Sequence, residues 1–268
     1  MIADFPAFDA TATNYDAEFT SHPLGRWLRN MVWNHLRPRV VPGQAVLELN
    51  AGTGEDACWL ASRGAHVTVT DASPVMRREA ARKAHHRGVD EQIAVAPLDL
   101  NRLDEATSTV LEGPFDGVLS NFGGLNCVAD RRVVATWLAE RTAPGAWVGL
   151  VLMGPACAWE IAWHLAHAKP RPALRRFRSG RLAHVGEDQW VPVWYPSPRR
   201  LRKEFEPHFV HRRTVGIGTL LPPSYLAHLV DRWPRAFSAL HRIDAQVGKL
   251  PPAAWLSDHY LMLLERRA

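Results

Sequence analysis

The stretch Val46–Asp71, VLELNAGTGEDACWLASRGAHVTVTD, decides how this chain folds. Val46–Leu49 is apolar apart from Glu48, the pattern of a strand buried on both faces. Asn50-Ala51-Gly52-Thr53-Gly54 follows as a tight turn. Gly52 and Gly54 admit positive φ and let a ligand lie against bare backbone. Asn50 belongs to the few side chains that tolerate the left-handed region. Glu55–Arg63 reads as a helix, with Ala57, Leu60 and Ala61 on one side and Gly64 just past its end. His66–Thr70 is a second strand, and Asp71 closes it. Strand, turn, helix and strand make half of a nucleotide-binding unit. Its ligand lies beyond the carboxyl ends of the strands, where strand order reverses. An acid at that point can accept both hydroxyls of a ribose.

The charges bear on which nucleoside this is. Gly52-x-Gly54-x-x-Ala57 formally meets the dinucleotide fingerprint. A pyrophosphate, however, needs the positive end of the helix free of anions. Here Glu55 and Asp56 occupy the first turn, and Glu48 stands just before the loop. Three carboxylates suit a cationic ligand such as S-adenosylmethionine, which has a sulfonium and an ammonium and no phosphate. ELNAGTG followed by VTVTDAS resembles the first two motifs of the class I S-adenosylmethionine-dependent methyltransferases. Those usually read acid-x-Gly-x-Gly-x-Gly, and this chain has Asn50 at the first glycine. The resemblance implies S-adenosyl-L-methionine as cofactor. It also implies that Glu48, Asn50, Gly52 and Gly54 surround the methionine part, and that Asp71 and Ala72 hold the ribose.

With 268 residues and 47% hydrophobic side chains, the chain can form one large core. No apolar run reaches the ~18 residues of a membrane span, and no signal peptide is apparent. Cys58, Cys127 and Cys157 are widely spaced and form no C-x-x-C. That spacing disfavours a disulfide framework or a metal site and suggests a cytoplasmic protein. The net charge of +5 is uneven: Lys169–Arg213 holds twelve Lys/Arg and four Asp/Glu, so +8, and the remainder is −3. Such a segment is either a solvated arginine-rich face or a surface for an anionic partner.

In chain order, residues 1–44 read as an N-terminal helical lid. Ala10–Phe19 and His22–Arg37 have helical spacing. Phe8-Asp9 and Tyr15-Asp16 resemble the start of ubiquinone/menaquinone-type methyltransferases, which places Tyr15 against the cofactor. Ser73-Pro74 opens a helix running to about Arg87. Ile93–Leu98 is the third strand, and Asp99-Leu100 after it resembles the family motif that holds the adenine. Asn101–Leu111 reads as a helix capped by Asp99. Phe115–Leu119 runs into Ser120–Asn126, where Asn121 and Asn126 either meet cofactor and acceptor or form turns. The loop lacks the Pro-Pro-aromatic sequence of base-methylating enzymes. Asp130 caps a helix to Arg141, and Ala146–Met153 is the fifth strand.

These elements imply an α/β fold: a doubly wound, Rossmann-like seven-stranded sheet of order 3-2-1-4-5-7-6, its last strand antiparallel. Residues 45–153 form the cofactor-binding core. Residues 154–196 form an insertion covering the substrate site, rich in Trp and Tyr as pocket walls are. Residues 197–268 complete the sheet through Phe209–Ile217 and Asp258–Glu265, with a helical insertion over 221–249. Methyl transfer needs mainly positioning and exclusion of water. Where a base is required, His164 is the first candidate, ahead of His167 and Tyr225. Trp159, Tyr195, Tyr225 and Asn126 are acceptor contacts. The leading expectation is a methyltransferase acting on O or N of a small molecule, in secondary metabolism, as a monomer or homodimer. Alternatives are an RNA methyltransferase using residues 169–213, a non-catalytic cofactor-binding protein, and a nicotinamide oxidoreductase. No metal ligands are expected, and nucleic acid is an unlikely partner on this reading.

Overall fold

The computed structural model describes residues 9, 15–106, 109–177, 180–185 and 189–268, without the side chains of 181, 184, 185 and 189. The strands are β1 (Ala45–Leu49), β2 (His66–Asp71), β3 (Ile93–Pro97), β4 (Phe115–Ser120), β5 (Thr142–Met153), β6 (Arg181–Val185), β7 (Gln189–Val193), β8 (Phe209–Ile217) and β9 (His259–Arg266). Seven form one sheet in the order β3-β2-β1-β4-β5-β9-β8. β1 to β5 pair in parallel, and β9 runs antiparallel to both β5 and β8. Strand order reverses between β1 and β4, so the loops after them form the crevice at the carboxyl ends.

Period-two alternation sorts the strand side chains onto two cores. Val46 of β1, Trp147 and Val151 of β5, and Leu261 and Leu263 of β9 face one layer. Leu47 and Leu49, Val148, Leu150 and Leu152, and Tyr260 and Met262 face the other. The first layer is covered by α1 (Pro23–Leu36), α2 (Glu55–Ala61) and α3 (Pro74–His86). The second is covered by α4 (Arg131–Ala139), and by a later helix, Pro198–Phe205, through Leu201 and Phe205. Helices on both faces are what buries both sides of a parallel sheet. Ser73, Asp130 and Ser197 accept from backbone N–H groups of the helices that follow them, the N-cap role their sequences imply.

Two connections leave the sheet. After β5 come α5 (Ala158–Ala166), α6 (Pro170–Ala173), a 3₁₀ turn at Arg175–Phe177 and the β6–β7 hairpin. α7 (Pro198–Phe205) then leads to β8. After β8 come α8 (His228–Arg232), α9 (Pro234–Val247) and α10 (Ala253–Leu256).

Three expectations need correction. Asn101–Leu111 is not one helix: among its described residues, Leu103–Glu105 and Thr109–Leu111 make separate 3₁₀ turns. Its buried apolar anchors, Leu103 and Leu111, stand eight apart with no helical stripe between them. β5 begins at Thr142, and its pairing with β4 jumps from Thr142 to Trp147 across Pro144-Gly145. Of the expected helix Ala10–Phe19, residues 10–14 lie outside the described residues, as does Phe8, and Asp16–Thr20 is a single π-type turn.

Candidate active site

A cavity of ≈ 350 Å³ opens beyond the carboxyl ends of β1, β2, β3 and β4. Asp71 lies on its wall. One carboxylate oxygen accepts the Ser73 N–H at 2.9 Å and the other the Gly52 N–H at 3.0 Å. Each oxygen keeps acceptor capacity for a ribose hydroxyl. Burial pushes this carboxyl up, and the two backbone N–H groups oppose that by favouring its charged form. Ala72, Met76, Leu98, Leu100 and Val128 make an apolar slot beside it, with Asp99 at the edge accepting the Asn101 N–H at 2.9 Å. Its lining is apolar with one carboxylate at the edge.

Asn50 is left-handed, at φ 48°, and lines the cavity with Gly52. Its side chain accepts the Ser120 hydroxyl at 3.2 Å and packs over Gly124. A Cβ on Gly124 would fall 1.9 Å from the Asn50 amide nitrogen. The side chain that replaces the customary glycine is thus accommodated by a glycine in the β4 loop. Gly52, at φ +55°, has open space where a Cβ would project, so its backbone face is free for a ligand. Gly54 does not line the cavity. It starts α2 at φ +75°, with its missing Cβ 2.8 Å from that of Ala80, so it packs α2 on α3.

The three carboxylates of the electrostatic argument have different fates. Glu55 points away from the cavity and pairs with Arg87 at 2.7 Å and Lys83 at 3.2 Å. Asp56 lines the cavity but is buried against Arg29, which donates to it, with Trp33 Nε1 at 2.6 Å and Asn121 Nδ2 at 3.0 Å. Glu48 lies in β1, 1% exposed and not on the cavity wall, and its Oε2 has no partner. Burial, then Asp56, pushes its carboxyl well above the usual range. The loop is therefore less anionic than its sequence suggests, because Arg29, Lys83 and Arg87 arrive from other elements.

Arg29 is a site residue that the sequence reading missed. It stands on the wall of the cavity, flanked by the rings of Phe19 and Phe122 at 5.8 and 5.2 Å, and its buried Nε has no partner. Its signal was legible: Gly25, Arg29, Val32 and Leu36 share the buried stripe of α1. Tyr15 also lines the cavity, and burial pushes its phenol up. Asp16 ties this N-terminal segment to the glycine loop, accepting from Thr53 Oγ1 at 2.6 Å and from Lys83 at 2.7 Å. Asn121 lines the cavity too, but its amide is spent on Asp56 and on the Phe122 N–H.

At the other end the wall comes from Phe122, Met153 and the cap, through Arg175, Ala183, Val193 and Tyr195. Arg175 is held by Glu160 at 2.6 and 2.8 Å. Glu160 also takes Arg176, which reaches Asp258 at 2.5 Å, all three nearly inaccessible. The cap is thereby clamped to the start of β9. Of the acceptor residues expected from the sequence, Tyr195 alone lines the cavity. Asn126 is fully buried and donates to the carbonyls of Met153 (3.0 Å) and Trp194 (2.6 Å), while accepting the Met153 N–H. It is a strut between β5 and the cap. Trp159 donates to the Leu220 carbonyl and packs on Phe237. His164 and Tyr225 lie together, 3.3 Å apart, off the cavity. His167 bonds the Trp163 carbonyl on the exposed end of α5. No histidine is among the described residues lining the cavity.

Comparison with known proteins bears on the same residues. Residues 46–145 match a family model described as a methyltransferase domain. The matched segment, from β1 into β5, is similar to that domain. The ubiquinone/menaquinone biosynthesis C-methyltransferase UbiE of Acidiphilium cryptum is 33% identical over 132 residues, 48% of this chain and 50% of that protein. The chain thus matches about half the length of that relative. Among solved structures, one described as a putative S-adenosylmethionine-dependent methyltransferase from Listeria monocytogenes superposes with TM-score 0.59 at 15% identity, covering 90% of this chain and 100% of the other. The phosphoethanolamine N-methyltransferase 2 of Haemonchus contortus, in complex with phosphomonomethylethanolamine and S-adenosylhomocysteine, superposes with TM-score 0.64 at 14% identity, covering 100% of this chain and 61% of the other. These two likenesses concern the fold alone. The cavity has features that suit S-adenosyl-L-methionine: a two-acceptor carboxylate, an apolar slot, a bare glycine backbone and a buried guanidinium nitrogen without a partner.

Proposed function

We propose that the chain transfers the methyl group of S-adenosyl-L-methionine directly to an oxygen or nitrogen of a small-molecule acceptor held under the cap. One observation carries this reading: a single cavity runs from Asp71 and Asp99 to Val193, Tyr195 and Arg175. The cofactor supplies a methyl on a good leaving group. The protein's work is then alignment and exclusion of water. Asp71 would accept the ribose hydroxyls, Ala72 and Leu100 would flank the adenine, and Asp99 would accept its amino group. Gly52 and Asn50 would border the methionine part, and Arg29 would meet its carboxylate. Tyr15 and Phe122 would close the cavity over the reacting atoms, with the N-terminal segment as lid and residues 154–196 as cover. Tyr195 would contact the acceptor.

The RNA reading draws on the basic segment. Its arginines Arg175 and Arg176 are consumed by Glu160 and Asp258 inside the protein, which leaves the small-molecule reading ahead. Its place in the cytoplasm, and in secondary metabolism, belongs to the same proposal; three free thiols, two of them buried, suit a reducing compartment. The test is transfer of a labelled methyl group from the donor into fractionated cell extract. Label in a small-molecule fraction, dependent on Asp71, is expected. Label confined to RNA would replace the proposal, and donor binding without transfer to any fraction would make this a non-catalytic binder.

A further inference from the structure

A second cleft, of ≈ 390 Å³, lies between α1, β8 and α9 and shares no lining residue with the first cavity. Met31, Pro38 and Leu263 contribute apolar surface, and Asn34 and Gln246 add amides. Its charged side chains are Arg39, Arg213 and Lys249, with His35 among them, and no carboxylate lines it. Arg39 donates to the His35 carbonyl at 3.2 Å and Lys249 to the Gln246 amide oxygen at 2.8 Å, both neutral acceptors. Glu265 is taken by Arg212 in a two-point pair at 2.7 and 3.0 Å. A register shift makes that division: β8 pairs His211 with Leu264 and Arg213 with Leu263, leaving Arg212 as the extra residue. Bulges re-aim side chains in this way. Arg212 closes on Glu265 while Arg213 lines the cleft. The field is felt by His35, which burial and then Arg213, Lys249 and Arg39 push down to about 4.

We propose that this cleft binds a phosphate-bearing small molecule, gripped by Arg39, Arg213 and Lys249. Three cations converging on one concave site match a dianion with several acceptor oxygens. The amides and apolar floor suit the organic part of a phosphomonoester or nucleotide. A nucleic-acid backbone instead calls for a stripe of cations along an open groove.

The test uses the full chain, titrated by calorimetry with pyrophosphate and with inorganic phosphate at ionic strength held constant with chloride. Saturable one-to-one binding is expected. It should weaken at least tenfold in an Arg213→Ala/Lys249→Ala variant, whose altered side chains are exposed, while S-adenosylhomocysteine affinity is unchanged. By NMR, the His35 titration midpoint should rise by at least one unit at saturation. Binding that is not saturable, that is equal in the variant, or that appears only with an oligonucleotide and falls steeply with salt, overturns the proposal.

Discussion

Glu48 shows how a residue can carry pH dependence without touching a ligand. Burial, with Asp56 adding to it, holds its carboxyl well above the usual range, and Arg29 only partly offsets this. An acid raised in the folded state imposes no penalty below its unfolded value of about 4.5. The penalty grows as pH rises from there through the folded value. Glu48→Gln should therefore match the wild type in stability near pH 4 and exceed it near pH 8, read as denaturation midpoints. A variant less stable than the wild type near pH 8 would contradict this. Asn50 and Gly124 make a second residue-scale case. Gly124→Ala should cost about 1–3 kcal/mol, the range for overpacking, because its Cβ would enter the Asn50 amide. Asn50→Gly should restore the stability of that variant. A double variant no more stable than Gly124→Ala alone would refute the pairing.

At the scale of elements, a buried charge network ties residues 154–196 to the start of β9. Arg176 joins Glu160 on α5 to Asp258 before β9, with every partner buried. Arg176→Met removes the cation between two buried carboxylates, leaving Glu160 to Arg175 and Asp258 to His259, and should cost about 3–5 kcal/mol. Arg175→Met, at a half-exposed position, should cost about 1 kcal/mol or less. Urea midpoints separate the two, and equal losses would contradict this account. Asp258 is also the acid-sensitive member. Burial raises its carboxyl, but His259 and Arg176 outweigh that and hold it below the usual range. Its contribution is present above about pH 4 and is lost as pH falls further.

The elements also divide by how far sequence revealed them. β1, β4 and β5 were legible because a strand buried on both faces is one apolar run. α1 was legible from its stripe, but Arg29, the charged residue on that stripe, was passed over. Asn101–Leu111 misled because polar residues between two apolar anchors satisfy a cap pattern without supplying a helical face. Glu55 and Asp56 misled because their partners are distant in sequence. His164, Trp159 and Tyr225 were chosen for chemistry alone, and only packing of α5 against the second insertion decides which way they face.

For the molecule as a whole, a doubly wound sheet sets a carboxylate, a glycine loop and a buried arginine around one cavity, and an insertion clamped to β9 roofs it. What enters that cavity decides the function. The most direct measurement is calorimetric titration of the purified chain with S-adenosylhomocysteine, beside Asp71→Ala and with NADH as competitor. One-to-one binding is predicted, weakened at least tenfold by Asp71→Ala, a loss of about 1.4 kcal/mol or more, and undisturbed by NADH. Absence of binding, affinity unchanged by Asp71→Ala, or displacement by NADH would contradict it.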